Sequence, residues 1–469
     1  MSLMTLMPLM TMKTLAATPG AEQPFPRGEV TEHIACRTDP TQTYALYLPP
    51  DYSAERRWPV AILMDPRGHA MVPIDLFRQA AGRRGYILMS SYDTASDGPW
   101  EPNEKAIRAM LPEAQQRYAI DTHRVYLAGF SGTARAGWDF GLRLKDRVAG
   151  LIGFGGGLPF ESARLQSVPF AFFGGAGRLD FNFEEMRTLD AKLESMHVPH
   201  RFESYDGPHS WGPEPTCAEA IDWMEIQAMK RGLRQKDDAM VNEVFSRRQE
   251  LARSMEAAGD PYGALLVYRS LERDFAGLHE IGAPSAKAAE LEKSKAVRAA
   301  IGNAQDVAVR QTAYERRLST FLQNFHAVEE LPPLSDSLTY LQIASLKRRA
   351  ADEKDPLDSE AAKRLIEMVF VQVAFYEPRQ FMEQSDPERA LAMLQVAAEI
   401  KPADPRVLLR QAGAYARMGK KDKGIDALRR AVDAGVTDPA VIEGDDALEP
   451  LKGEAGYHDI LKRLRPTPP

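Results

Sequence analysis

Ser131 is the residue whose surroundings point most directly to chemistry. In the segment Val125–Arg135, the apolar run Val-Tyr-Leu-Ala is followed by Gly-Phe-Ser-Gly-Thr and then by residues with helical spacing. The pattern predicts a buried strand, a tight turn with the serine at its apex, and a helix. A serine in such a turn is exposed for attack on a carbonyl carbon, and its strained backbone needs small neighbours. Gly129 meets that need, whereas Thr133 stands where glycine is more usual.

Those five residues alone fit an ordinary flexible turn equally well, so the prediction of a nucleophile depends on finding its partners in the sequence. A histidine must take the serine proton, and an acidic group must orient that histidine. His209 lies in a Gly-Pro-His turn after the last predicted strand, and Asp180 follows a glycine-rich turn after the strand before it. We therefore predict Ser131 as nucleophile, Asp180 as acid and His209 as base, in that chain order.

The acid has alternatives in the same region. Asp180 could instead cap the helix that is predicted to start at Phe183. Glu184 and Glu185 follow in the first turn of that helix, where acidic residues are common because they complement the helix dipole. Asp180 is favoured because it precedes the helix and lies in the loop itself.

Further residues are expected around the serine. A developing oxyanion needs N–H donors, and we expect one from Gly132 and a second from Arg67 or Gly68, which follow the third predicted strand. The Arg67 side chain could also meet a substrate carboxylate or form a surface ion pair. Trp211 and Trp100 lie in loops at the same predicted face, where they could contact an acyl group or pack the loops.

The elements that would position these residues occupy residues 27–232. Apolar runs rich in β-formers alternate there with helical patterns, which predicts a mostly parallel eight-stranded α/β sheet. The predicted strands are Val30–Cys36, Thr43–Leu48, Pro59–Met64, Tyr86–Ser91, Arg124–Ala128, Val148–Phe154, Phe170–Gly174 and His200–Tyr205. The predicted helices are Ile74–Arg84, Asn103–Tyr118, Ala134–Leu144, Phe183–Met196 and Cys217–Arg231. The segment between the sixth and seventh strands is short, so no large lid is expected.

Residues 233–469 have a different character. Strand patterns disappear, and the segment at 390–397 recurs at 424–431, a spacing of 34 residues. That period indicates helical repeats, most clearly at 385–465, with a weaker copy beginning at Gly259. A plain helical bundle is the alternative, and it is the safer interpretation of residues 280–380. Residues 1–26 are expected to be a leader, either disordered or a vestigial signal segment.

Three motifs carry a resemblance to a known family. They are Tyr44-Ala-Leu-Tyr-Leu-Pro-Pro, Arg124-Val-Tyr-Leu-Ala-Gly-Phe-Ser-Gly and Gly207-Pro-His-Ser-Trp. Residues 27–232 resemble the α/β-hydrolase superfamily, and most of all its polyhydroxybutyrate-depolymerase and feruloyl-esterase-like branch. The resemblance implies ester hydrolysis without a cofactor or a metal, with Ser131, His209 and Asp180 as the catalytic residues. The helical half resembles tetratricopeptide repeats.

Composition limits which other classes of protein the chain could belong to. The chain has 469 residues, more than one hydrophobic core usually serves, and a net charge of −7 that gives no indication of a nucleic-acid partner. No apolar run approaches the roughly 20 residues of a membrane span, so no integral membrane segment is expected. Cys36 and Cys217 are the two cysteines; free thiols and a single bridge are both open. Localisation, whether periplasmic, secreted or cytoplasmic, also stays open.

The sequence favours a serine carboxylic-ester hydrolase that acts on an accessible ester substrate. Two other interpretations compete with it. In the first, the chain is a tetratricopeptide-type interaction scaffold with a weak or inactive hydrolase domain; in the second, it is a serine peptidase. In every case the helical repeats offer a surface for a protein partner or for self-association.

Overall fold

The computed structural model describes residues 25–159, 165 and 167–465. The predicted leader at 1–26 lies almost entirely outside the described residues. Contacts divide the chain into two compact units. The first holds the residues up to 177 together with 182–293, and the second holds residues 178–181 and 294–469.

A sheet of eight strands forms the centre of the first unit in the described part of the chain. The strands are β1 (Val30–Ala35), β2 (Thr43–Tyr47), β3 (Trp58–Met64), β4 (Ile87–Ser91), β5 (Ile120–Phe130), β6 (Gly150–Phe154), β7 (Ala171–Gly177) and β8 (His200–Tyr205). Their order in the sheet is β1-β2-β4-β3-β5-β6-β7-β8. Strands β1 and β2 are antiparallel to their neighbours, and the other six run parallel. This is the strand order of the α/β-hydrolase fold, so the predicted fold class is confirmed.

Helices cover the sheet and extend past its last strand. They are α1 (Met71–Arg84), α2 (Glu101–Arg117), α3 (Gly132–Leu144), α4 (Phe183–Ser195), α5 (Glu214–Lys230), α6 (Asp238–Ala257), α7 (Pro261–Phe275) and α8 (Gly282–Lys293). All the predicted strands and helices of this unit are present, with ends shifted by a few residues. The largest shift is in β5, which already begins at Ile120 because this buried residue pairs with Trp58 of β3.

The two faces of the sheet carry separate hydrophobic cores. Ile62 of β3 lies in one core and its neighbour Leu63 lies in the other, as strand alternation requires. Cys36 belongs to the first core and Cys217 to the second, so the sheet lies between the two thiols. Both cysteines are free and buried, so of the two alternatives that the sequence left open, free thiols are present and the Cys36–Cys217 disulfide is not. Burial raises the pKa of the Cys36 thiol to about 12, which keeps it unreactive.

Helices α6, α7 and α8 belong to the first unit, although the sequence placed the boundary at residue 232. Charged pairs connect these helices to the last strand of the sheet. Arg201 of β8 donates to Asp274 of α7 at 2.9 and 2.6 Å, and both side chains are only 1% exposed. Arg248 of α6 donates to Glu203 of β8 at 2.6 Å. Helical periodicity cannot reveal such pairs, so the sequence grouped α6 to α8 with the repeats.

Glu219 of α5 lies beside the same arginines, and the shift of its pKa predicts how the stability of the fold depends on pH. Burial alone would raise the pKa of Glu219, but Arg248, Arg201 and Arg247 hold it at about 2, below its ordinary value of 4.5. The stabilisation from the charged form is therefore present above pH 4.5 and is lost as the pH falls towards 2. We expect the melting temperature of Glu219→Gln to vary less over this pH range than that of the wild type. Thermal melts followed by circular dichroism test this, with the exposed Glu250→Gln as control; parallel curves for all three proteins would contradict it.

The described residues of the second unit form α-helices joined by loops, with a π-helical turn at Gln372–Tyr376 and a 3₁₀ helix at Asp446–Leu451. Its helices are α9 (Lys295–Ala327), α10 (Leu334–Tyr340), α11 (Ile343–Ala350), α12 (Pro356–Val371), α13 (Glu377–Glu383), α14 (Pro387–Ile400), α15 (Pro405–Arg417), α16 (Lys421–Asp433), α17 (Pro439–Glu443) and α18 (Ala455–Leu464). The two predicted repeat segments lie on α14 and α16, where the equivalent residues Ala390 and Gly424 are both buried. Within residues 25–159, 165 and 167–465, no helix has the length and apolar character of a membrane span.

Candidate active site

Ser131 lies in the turn between β5 and α3, near the centre of the sheet. Its backbone has φ 54° and ψ −124°, a conformation that residues other than glycine rarely adopt. The N–H of Ser131 donates to the carbonyl of Phe154 at 2.8 Å, which fixes the turn to the end of β6. A Cβ on Gly156 would lie 2.3 Å from the carbonyl oxygen of Ser131, so the loop after β6 approaches the turn closely.

Thr133 ties this turn to the neighbouring strand. Its hydroxyl donates to the carbonyl of Met64, the last residue of β3, at 2.6 Å, and accepts from the N–H of Phe130 at 3.1 Å. The side chain is completely buried. The threonine that departed from the usual pattern therefore supplies a connection between β3 and the serine turn that a glycine lacks.

Removing the Thr133 hydroxyl should destabilise the fold. We expect Thr133→Val, which keeps the shape of the side chain, to lower the free energy of unfolding by about 1–3 kcal/mol, because the hydrogen bonds of the hydroxyl to Met64 and Phe130 are lost. Urea unfolding measures this change, and Thr133→Ser is the matched control because it keeps the hydroxyl. Equal stability of the valine and serine variants would show that the hydroxyl contributes nothing.

His209 lies in the loop that follows β8. Its Nε2 atom is 2.9 Å from Ser131 Oγ, and its ring packs on Phe130 with centroids 4.5 Å apart. The loop is held because the Tyr205 hydroxyl donates to the carbonyl of Ser210 at 2.8 Å. A histidine nitrogen at this distance can accept the serine proton.

Trp211 stabilises the same loop from inside the core. It is 8% exposed, and its ring lies about 6 Å from those of Phe130 and Phe154. Its indole N–H donates to Asp65 Oδ2 at 2.9 Å. This burial does not support the predicted contact of Trp211 with an acyl group: the side chain packs the loop, which was the alternative.

The N–H donors that were expected around the serine differ in their availability. Gly132 is the first residue of α3, where helix geometry leaves the N–H without an intrahelical partner and the helix dipole favours negative charge. The N–H groups of Arg67 and Gly68, by contrast, both donate to Asp65, at 2.9 and 3.2 Å. The second donor predicted at Arg67 or Gly68 is therefore already engaged in the turn after β3. His69 N–H also donates to Asp65, at 3.1 Å.

Asp180 follows the end of β7 at Gly177, as the chain order requires, and its side chain is completely buried. It belongs to the short segment 178–181 that groups with the second unit, and its role as the acid stays a prediction. The N-cap residue of α4 is Asn182, so Asp180 does not cap that helix. Of the rival acids, Glu185 forms a bidentate pair with Arg135 at 2.6 and 2.7 Å.

Trp100 contacts α3 through its indole. It is 38% exposed at the start of α2, and its indole N–H donates to Asp139 at 3.4 Å. Asp139 lies about two helical turns beyond Ser131 on α3. The contact of Trp100 with substrate stays a prediction.

Asp65 is the residue of this region that the sequence reasoning missed. Its buried side chain accepts hydrogen bonds from Arg67, His69 and Trp211, and so joins the turn after β3 to the histidine loop. An available signal was the Asp-Pro-Arg-Gly sequence directly after a buried strand, since an aspartate in that place often accepts from the backbone two residues on.

Comparisons with known proteins give matches to separate parts of the chain. Residues 381–442 match a family model described as tetratricopeptide repeat. Among solved structures, the S-formylglutathione hydrolase of Staphylococcus aureus is similar at 13% identity and a TM-score of 0.35, over 44% of this chain and 99% of that one. A ferulic acid esterase is similar at 15% identity and 0.34, over 42% and 96%. An esterase of Pyrobaculum calidifontis is similar at 15% and 0.35, over 44% and 87%. No curated protein matches the sequence.

Proposed function

We propose that the protein is a serine carboxylic-ester hydrolase whose nucleophile and base lie in the first unit. The observation that carries this proposal is the 2.9 Å distance between Ser131 Oγ and His209 Nε2. The two residues are 78 positions apart in the chain, and the serine is held at a backbone conformation that costs free energy. Strain of this kind persists where the surrounding structure enforces it, and active sites are its usual location.

The proposed reaction has two halves. Ser131 Oγ attacks the carbonyl carbon of the ester while His209 Nε2 takes the hydroxyl proton, and the carbonyl oxygen becomes an oxyanion facing the Gly132 N–H. The C–O bond to the alcohol then breaks, and the alcohol leaves with the proton from His209. Water attacks the acyl-serine with His209 again as base, and the acid is released. Asp180 is proposed to orient the imidazole and to stabilise its charged form.

The helical repeats support a second, separate proposal. The match of residues 381–442 to the tetratricopeptide model favours a surface for a protein partner or for self-association. This role is compatible with an active first unit. It would become the main function only if the serine site proved inactive.

A panel of substrates tests the proposed chemistry on the purified full-length chain. We expect hydrolysis of p-nitrophenyl acetate, with feruloyl and hydroxybutyrate esters defining the preference, and little cleavage of a peptide p-nitroanilide. Comparable cleavage of the anilide would favour a peptidase. Failure to hydrolyse any ester would favour the interaction scaffold.

A further inference from the structure

The oxyanion of the proposed reaction lacks a second donor from the expected loop. Stabilisation of a tetrahedral intermediate normally uses more than one donor placed before the reaction starts. Gly132 supplies one N–H. In the turn after β3, the backbone N–H groups of Arg67, Gly68 and His69 are already engaged, because all three donate to Asp65.

Ser96 packs against the residue that follows the nucleophile. A Cβ built on Gly132 would be 2.4 Å from Ser96 Cβ and 3.3 Å from Ser96 Oγ, so this serine packs directly against the residue after the nucleophile. Its own N–H donates to the carbonyl of Pro66 at 2.9 Å, which fixes it to the turn after β3. Ser96 thus contacts both the residue after the nucleophile and the turn after β3.

The Ser96 hydroxyl is free to change its acceptor. It donates to Asp97 Oδ2 at 3.1 Å in an exposed position, whereas a strong bond from a hydroxyl to a carboxylate measures about 2.5–2.7 Å. Rotation about the Cα–Cβ bond moves only the hydroxyl. Asp97 itself has φ 61°, a left-handed conformation of the kind that is concentrated near functional sites.

We propose that Ser96 Oγ–H donates the second hydrogen bond to the oxyanion formed at Ser131. The proposal rests on the proposed ester hydrolysis. No proton is transferred from Ser96: its hydroxyl turns from Asp97 towards the oxygen as negative charge develops there, and turns back when the carbonyl re-forms. Ser96 is in this sense a catalytic residue that acts on the transition state and not on substrate binding.

Kinetics of Ser96→Ala on p-nitrophenyl acetate test the proposal. Loss of one oxyanion donor should lower kcat by about 10²–10³-fold with little change in KM. The inhibition constant of phenylboronic acid, whose tetrahedral serine adduct carries the same negative charge, should rise. Ser96→Thr keeps a hydroxyl and should retain most of the activity. Gly98→Ala is the matched loop control, because a Cβ there meets nothing within 4 Å, and it should stay within about threefold of the wild type.

The outcomes distinguish a failure of the Ser96 proposal from a failure of the proposed ester hydrolysis. If Ser131→Ala has no effect on hydrolysis, the proposed function itself fails. If Ser131→Ala is inactive while Ser96→Ala keeps kcat and boronic-acid affinity within threefold of the wild type, the Ser96 assignment is overturned. For the proteins that retain Ser131, the rate is divided by the concentration of active sites, measured by titration to completion with a fluorophosphonate. Misfolded protein then does not contribute to the comparison. An equal loss in Ser96→Ala and Gly98→Ala would assign the effect to the loop and contradict a role for the hydroxyl.

Discussion

Ser131→Ala should abolish the ester hydrolysis of the protein and leave its fold intact. We expect kcat/KM for p-nitrophenyl acetate to fall by on the order of 10⁴- to 10⁶-fold, because the acyl-serine can no longer form. The half-buried side chain points from a turn, so its loss opens no core cavity. Alanine also has the same backbone restrictions as serine at φ 54°, and the melting temperature should therefore change little.

A matched serine distinguishes a lost nucleophile from a general effect of mutation. Ser195 is exposed at the end of α4, and its hydroxyl donates only to the carbonyl of Lys192. Ser195→Ala should keep wild-type rates. If Ser131→Ala also hydrolyses p-nitrophenyl acetate at the wild-type rate, Ser131 is not the nucleophile.

The second large effect concerns the glycine that makes room for the serine turn. A Cβ on Gly129 would lie 2.5 Å from the carbonyl oxygen of Thr133 and 2.7 Å from the N atom of Ala134. These are backbone atoms of the first turn of α3, so they cannot move away without displacing the helix. We expect Gly129→Ala to lower the free energy of unfolding by more than about 4 kcal/mol, or to prevent folding.

Urea unfolding and the yield of soluble protein measure this effect. Gly98→Ala is the control, since a Cβ there meets nothing within 4 Å. It should be as stable as the wild type to within about 0.5 kcal/mol. A stable and active Gly129→Ala protein would mean that the turn between β5 and α3 is wider than described.

The fold and the approach of His209 to Ser131 were predictable because they depend on local patterns. Alternating apolar runs and helical spacing located every strand of the sheet, and the strand order then determined which loops meet. The meeting of Ser131 and His209 follows from this, since each lies in the loop that follows its own strand.

Contacts between loops were not predictable in the same way. The sequence names Asp65, but it does not say that one carboxylate takes the N–H groups of Arg67 and His69 as well as the Trp211 indole. Local pattern likewise left open whether Trp211 faces substrate or packs the loop. Its burial depends on aromatic rings from other strands.

Mapping a covalent fluorophosphonate label tests the central claim most directly. After labelling of the full-length chain and digestion with trypsin, we expect one modified peptide, Val125–Arg135, in which Ser131 is the only serine. Labelling should be absent from Ser131→Ala and from protein denatured before the reagent is added. Labelling of a different peptide, or no labelling of the native protein, would contradict the assignment of Ser131 as an activated nucleophile.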